Sequence, residues 1–284
     1  MPTDARRQLQ EPDAHRHPGR RGRPMTGMRV AVLGLGEAGG EIARDLVAAG
    51  ADVRGYDPRV SPPPGVAVRM NEADAVRDAD LVLSVNSSHD AVPALLNAAP
   101  RLAPGSVWAD LNTAAPAVKA ELARLCAPYS VEVADVALMA PVPGKGLRTP
   151  MLVSGAGAVR YAEAMTGVGA EVTIQPGPAG EAISRKLLRS VFYKGLAAAV
   201  VEALAAGEAA GCGAWLRANI GAELAGFNEQ TIDRLVDGTH RHARRRADEM
   251  TAAGEQLIDL GVRPRIADAA RDLLIELRDS GSSP

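Results

Sequence analysis

Short apolar, β-branched runs alternate with Ala- and Leu-rich stretches through residues 28–174. The short runs fall at 29–34, 52–57, 66–68, 80–85, 106–111, 131–136, 150–154 and 171–174. Stretches with helical spacing lie between several of them, at 41–49, 89–98, 116–126 and 158–167. This alternation predicts βαβ units and a mostly parallel sheet. After Gly180 the strand signals stop. One Ala- and Leu-rich run without proline extends from 180 to about 211, roughly 45 Å of helix at 1.5 Å per residue. That length exceeds what a crossover needs, so it predicts a bridge into an all-helical region. Further helices are predicted at 216–227, at 228–260 with a break near Gly238, and at 266–278.

The first apolar run leads straight into Gly34, Gly36 and Gly39, spaced Gly-x-Gly-x-x-Gly, and then into a helical stretch. The first glycine permits a tight turn off a strand. The second lets backbone N–H groups approach a pyrophosphate, and the third lets the helix pack on the strand. Asp57 closes the second run, where a ribose-binding acid is expected about 20 residues on. The expected fold class is therefore α/β, a Rossmann-type domain over residues 28–178 followed by a helical domain over 179–284. The first region binds a dinucleotide. Asp57 favours NAD, because a carboxylate repels a 2′-phosphate. Arg54 and Arg59 flank it and keep NADP open.

Composition narrows the partners. Net charge is −2, and two Phe, two Trp and four Tyr leave few platforms for stacking bases, so nucleic acid is not expected. Cys126 and Cys212 stand without a C-x-x-C or a His-rich partner, which argues against structural zinc and suits two free thiols in a reducing, cytoplasmic setting. Residues 195–215 form the most apolar long stretch, but Glu202 and Glu208 interrupt it, so no membrane segment is expected. Residues 1–27 carry six Arg against three acids, with interspersed Pro, Gly and His and no hydrophobic period. This reads as a disordered extension.

The chemistry concentrates at the start of the long helix. Lys186, Ser190 and Lys194 share one face, with Arg189 and Tyr193 on neighbouring rows. A basic and hydroxylic stripe suits a small anionic hydroxy or keto substrate. The same spacing also suits a solvated charged face. Segment 180–190, Gly-Glu-Ala-Ile-Ser-Arg-Lys-Leu-Leu-Arg-Ser, resembles the catalytic helix motif of the β-hydroxyacid dehydrogenases, the 6-phosphogluconate dehydrogenase-like superfamily. Gly180 and Lys186 match that motif in register. The resemblance implies that Lys186 is the general acid/base, with Ser190 standing where the family has a substrate-orienting Asn.

The resemblance extends over residues 28–284. The turn Gly34-Leu35-Gly36-Glu37-Ala38-Gly39 is similar to the family's cofactor turn, with Ala38 in place of Met. Val85 and Asn86 stand in its adenosine-side loop, and Asn112 and Thr113 in the segment that borders the nicotinamide. After Asp135 the chain departs from the family. Met139, Ala140 and Pro141 replace a Ser-Gly-Gly that binds the substrate carboxylate, and this stretch resembles imine reductases instead. The combination is similar to a branch with a short helical C-terminal domain of unassigned function. The family also implies a homodimer through the helices, and a substrate contact from His240, Arg244 or Arg245. The expected activity is hydride transfer between nicotinamide and a small β-hydroxy acid or related compound. The alternatives are reduction of an apolar cyclic imine, and NAD(P) binding without catalysis.

Overall fold

The computed structural model describes residues 27–280. The expected extension at 1–27 therefore lies, except for Gly27, outside the described residues. The first unit alternates strand and helix: β1 (Arg29–Leu33), α1 (Glu37–Ala48), β2 (Asp52–Tyr56), β3 (Ala67–Val68), α2 (Glu72–Val76), β4 (Leu81–Ser84), α3 (Ala91–Ala98), β5 (Val107–Asp110), α4 (Pro116–Cys126), β6 (Glu132–Leu138), β7 (Met151–Ser154), α5 (Ala158–Thr166) and β8 (Val172–Ile174). The helical region follows: α6 (Glu181–Ala209), α7 (Gly213–Ala225), α8 (Glu229–Arg241), α9 (Ala243–Asp259) and α10 (Arg265–Ser280).

The eight strands form one sheet in the order β3-β2-β1-β4-β5-β6-β7-β8. Every pairing is parallel except β6 with β7. The order switches between β1 and β4: the chain leaving β1 goes to β2 on one side, and the chain leaving β4 goes to β5 on the other. An open α/β sheet binds ligands in the crevice at such a switch. Apolar side chains fill both faces. Val30, Val32, Ile42 and Leu46 belong to one layer, and Ala31, Leu33, Val82 and Trp108 to the other. This two-sided burial explains why the central strands β1, β4 and β5 read as nearly continuous apolar runs rather than as alternating patterns.

Several boundaries differ from the sequence reading. α1 begins at Glu37 rather than at residue 41, because Gly39 and Gly40 are already helical. α2 was not anticipated. It is one short turn, capped by Asn71, whose side chain accepts the Asp74 N–H at 2.8 Å. The break expected near Gly238 falls at His242, where the backbone leaves the helical region. Gly238 stays helical. A Cβ there would lie 3.2 Å from the Arg246 guanidinium, so the glycine serves close packing rather than a break.

The described residues form two compact units, divided between Leu187 and Leu188. The division falls inside α6 rather than at residue 178. The first turns of α6 belong with the sheet, since Ala182 and Ile183 are fully buried against Ala137. In the second unit, Glu202 of α6 caps α10. Its carboxylate accepts the N–H groups of Arg265 at 2.7 Å, Ile266 at 2.9 Å and Ala267 at 2.9 Å. By length and composition α6 is apolar enough to cross a membrane, although its acid at 202 is engaged in this cap.

Burial alone would raise the Glu202 carboxyl, but the three N–H donors and the nearby Arg265 outweigh it and hold it below 4.5. A carboxylate so lowered stabilises the folded state above its ordinary value, and that stability is lost as pH falls through the folded-state value. Glu202→Gln is therefore expected to cost about 1 kcal/mol at pH 7. In urea unfolding the gap from wild type should close below pH 4.5. An equal gap at pH 7 and pH 3 would contradict this role.

Candidate active site

The glycine turn leaves β1 at the crevice. Gly34 has φ +92°, and a Cβ on it would lie 2.6 Å from the Val85 carbonyl oxygen. Gly39 sits in the first turn of α1, where a Cβ would lie 2.0 Å from the Gly34 carbonyl oxygen. Both glycines are thus demanded by the protein's own packing. Gly36 is not. It caps α1 with ordinary dihedrals, and a Cβ there would meet nothing within 4 Å. It also lines a cleft of about 650 Å³. The residue is small where the protein itself needs no smallness, which fits a pyrophosphate approaching the N-terminus of α1.

The cleft runs from this turn along the ends of β1, β2 and β4. Gly34, Gly36, Asp57, Arg59, Val85 and Asn86 line it, as the sequence reading expected of cofactor contacts. Pro93, Ala94 and Asn97 of α3 and Glu72 of α2 also line it and were not anticipated. For the α3 residues the only signal was that a helix follows β4; for Glu72 there was none. Asp57 has a second role. Its Oδ2 accepts the Leu35 N–H at 2.8 Å, and its Oδ1 accepts those of Arg59 at 2.8 Å and Val60 at 3.0 Å. Burial alone would raise this carboxyl, but the N–H donors and the Arg59 charge hold it below its ordinary value. A carboxylate offers about four lone-pair sites, so capacity remains for a ribose hydroxyl.

Other expected contacts sit elsewhere. Leu35 is buried in the core and offers only its backbone to Asp57. Glu37, Ala38 and Gly39 form the first turn of α1 but do not line the cleft. Of the two arginines near Asp57, Arg54 is turned away. Its guanidinium donates to the Arg77 carbonyl at 2.6 Å and pairs with Asp52 at 3.4 Å.

Beyond β5 lies a buried ionic cluster that sequence reading missed. Asp110 of β5 and Asp135 of β6 are paired neighbours on adjacent parallel strands, and both are fully buried. Two buried carboxylates side by side repel each other. Lys119 of α4, also fully buried, lies between them, with Nζ 2.6 Å from Asp110 Oδ2 and 3.2 Å from Asp135 Oδ1. It also donates to the Asp110 carbonyl at 2.8 Å. Asp135 Oδ2 accepts the N–H groups of Gly180 at 3.0 Å and Ile183 at 3.1 Å, at the start of α6. Ser154 donates to the same oxygen and accepts the Ala182 N–H at 2.9 Å.

The predicted catalytic segment grows from this cluster. Asn112 is buried, with Nδ2 within 2.6 Å of Asp110 Oδ1 and 2.8 Å of Asn86 Oδ1. It braces the loop from within. Thr113, next in the chain, is exposed, and its Oγ1 accepts from Lys186 Nζ at 2.9 Å. The structure therefore brings Lys186 to the loop at the end of β5. Met139 follows β6 and packs with Ala137, Ala182 and Ile183, placing an apolar surface beside the root of α6. Ala140 is half-buried and Pro141 exposed. The loop beyond is anchored at its base, where Met139 N–H donates to the Pro150 carbonyl at 2.8 Å. It is also anchored on α1, where Glu41 accepts the Gly144 N–H at 3.0 Å and Asp45 the Leu147 N–H at 2.9 Å.

The remaining predicted residues belong to the second unit. Ser190 and Lys194 continue along α6, and His240 lies exposed near the end of α8. Arg245 pairs with Glu249 one turn on. Arg241, His242, Arg244 and Arg245 line a shallow hollow of about 300 Å³ with Asp248. Among the described residues, no group of three or more His, Cys, Asp or Glu is arranged to hold a metal ion.

Residues 3–101 match the family model of the NAD-binding domain of D-isomer specific 2-hydroxyacid dehydrogenases. Residues 208–277 match that of a domain of unknown function, DUF1932. No curated protein matches the chain. Among solved structures, a conserved hypothetical protein from Sinorhizobium meliloti 1021 is 29% identical, with 87% of each chain covered and a TM-score of 0.57. A conserved protein of unknown function, titled as structurally similar to 3-hydroxyacid dehydrogenases, is 25% identical. It aligns over 90% of this chain and 100% of its own, with a TM-score of 0.57. The reductive aminase from Aspergillus terreus in complex with NADPH and ethyl levulinate is 18% identical, covers 90% and 95%, and has a TM-score of 0.75.

The fold and the cleft fit the binding of NAD(P), in keeping with the NAD-binding family model matched by residues 3–101. More narrowly, residues 3–101 are similar to the NAD-binding domain of 2-hydroxyacid dehydrogenases, and residues 208–277 to DUF1932. When bound, NAD(P) would lie against Gly34, Gly36 and Asp57. The three glycines separate by experiment. Gly36→Ala should leave thermal stability unchanged within about 0.5 kcal/mol and weaken NADH binding, read by fluorescence titration, roughly tenfold or more. Gly39→Ala should lower stability itself, since its Cβ meets backbone. Unchanged NADH affinity in Gly36→Ala would remove that residue from the cofactor site.

Proposed function

We propose that this protein is an NAD(P)-dependent oxidoreductase acting on a small β-hydroxy acid or a related hydroxy or keto compound. The observation that carries this reading is the Lys186 Nζ to Thr113 Oγ1 hydrogen bond of 2.9 Å, at the strand end beside the cofactor cleft. A bound nicotinamide supplies hydride transfer. Lys186 Nζ takes the proton of the substrate hydroxyl during oxidation and returns it to the carbonyl oxygen during reduction. Thr113 Oγ1 accepts from that nitrogen and fixes its place. The family resemblance adds Ser190, Lys194 and His240 as further substrate contacts. Asp57 favours NAD over NADP. The exposed free thiol of Cys212 suits a reducing, cytoplasmic setting.

Lys186→Ala is expected to lower kcat by roughly 10²–10⁴-fold with NADH affinity unchanged. Turnover near that of wild type would end the assignment. A second reading is reduction of an apolar cyclic imine, and the packing of Met139 against Ala137 and Ile183 supports it. Parallel assays of NADH and NADPH oxidation with small keto acids and with cyclic imines separate the two. Cofactor binding without turnover across both panels would favour a non-catalytic NAD(P)-binding role.

We further propose a homodimer formed through the helical unit, with no nucleic acid or membrane partner. Leu188 and Val191 of α6, Trp215 of α7 and Ile232 of α8 are each at least 65% exposed. A second copy would cover such apolar surface. Light scattering at micromolar concentration should report twice the 29.5 kDa chain mass. A mass of one chain would count against this assembly.

A further inference from the structure

We propose that Asp135, Ser154 and Lys119 are positioning residues for Lys186. They set the register of α6 on the sheet and so fix where Lys186 Nζ stands relative to Thr113. Lys186's chemistry rests on the proposed function; its placement does not.

The first turn of α6 takes its caps from afar. The N–H groups of Gly180 and Ile183 go to Asp135 on β6, and that of Ala182 goes to Ser154 on β7. These bonds span 45, 48 and 28 residues of sequence. A local cap would satisfy the same donors but would let the helix turn or slide with its own connection. Caps from two different strands hold both rotation and translation. A slip of one residue would turn the helix by about 100° and move it about 1.5 Å, removing Lys186 from Thr113.

The same residues reach Thr113 from the other side. Asp135 Oδ1 lies 3.2 Å from Lys119 Nζ, and Lys119 Nζ lies 2.6 Å from Asp110 Oδ2. Asp110 Oδ1 then lies 2.6 Å from Asn112 Nδ2. Asn112 is bonded to Thr113 through the chain, and Thr113 accepts from Lys186. The contacts close a ring: α6, Asp135, Lys119, Asp110, Asn112, Thr113 and Lys186 back on α6. Two carboxylates against one ammonium leave an excess negative charge, which the N-terminal dipole of α6 offsets. Buried ion clusters seldom stabilise more than apolar side chains of the same volume. Stability alone is therefore a weak reason for this cluster, whereas registering a helix that carries a reactive amine needs directional bonds.

The test uses the full chain labelled with ¹³C at lysine Cε. The chain has four lysines, Lys119, Lys145, Lys186 and Lys194, so four signals are expected and each is assigned by single substitution. The signals are followed through a pH titration in wild type, in Asp135→Asn and in the milder Ser154→Ala. The proposal expects the Lys186 signal and its titration midpoint to move in both variants while Lys145, in the loop between β6 and β7, stays. A folded variant whose Lys186 titration superimposes on wild type overturns it. If Asp135→Asn does not fold, Ser154→Ala decides alone. Where a substrate turns over, kcat in Ser154→Ala should fall about fivefold with KM unchanged. An active Lys186→Ala would refute the proposed function and leave the positioning intact. An unmoved Lys186 signal would do the reverse.

Discussion

Two buried aspartates on neighbouring strands, Asp110 and Asp135, set the central constraint on this molecule. Parallel pairing of β5 and β6 places them side by side in the interior. Lys119 stands between them, from the helix that follows β5. One ion cluster thereby commits three elements. It ties α4 to the sheet, braces the loop after β5 through Asn112, and anchors the first turn of α6. Each of these borders the place where Lys186 meets Thr113.

In the proposed function, cofactor recognition and chemistry are thus carried by separate devices. The cleft at the β1–β4 crevice depends on backbone: a glycine turn, a helix N-terminus and an aspartate that also braces the turn. The proposed reactive corner depends on buried charge. Gly36 belongs to the first device in an instructive way, because of the three glycines in the turn it alone is kept small where the protein itself leaves room for a larger residue.

Much of the fold could be read directly. The central strands β1, β4 and β5 stood out because two-sided burial makes them short and apolar, while β2, β3 and β8 stood out by position alone, being partly exposed. The glycine spacing and Asp57 located the cleft, since each answers a local steric or hydrogen-bonding demand. Sites built from distant partners were harder to read. Lys119 appears in the sequence as one more polar residue on an amphipathic helix, and nothing nearby announces that it is fully buried. Asp57's bond to Leu35 and Asn112's inward brace are likewise long-range. Gly238 misled for a related reason: a glycine that makes space for an arginine looks the same, in one dimension, as a glycine that ends a helix. The long helix was legible in extent, but its first turns belong with the sheet because partners on β6 and β7 hold them.

The loop between β6 and β7 carries one more lesson. Its residues from Met139 to Pro141 stand beside the root of α6, yet Glu41 and Asp45 of α1 hold its far side. Those carboxylates and that loop form one inheritable module. Grafting a relative's loop onto this scaffold without the matching face of α1 would leave backbone donors and acidic side chains without their counterparts. Selectivity in such a protein cannot drift one segment at a time, because changes in the loop must be accompanied by changes on the helix that faces the cofactor.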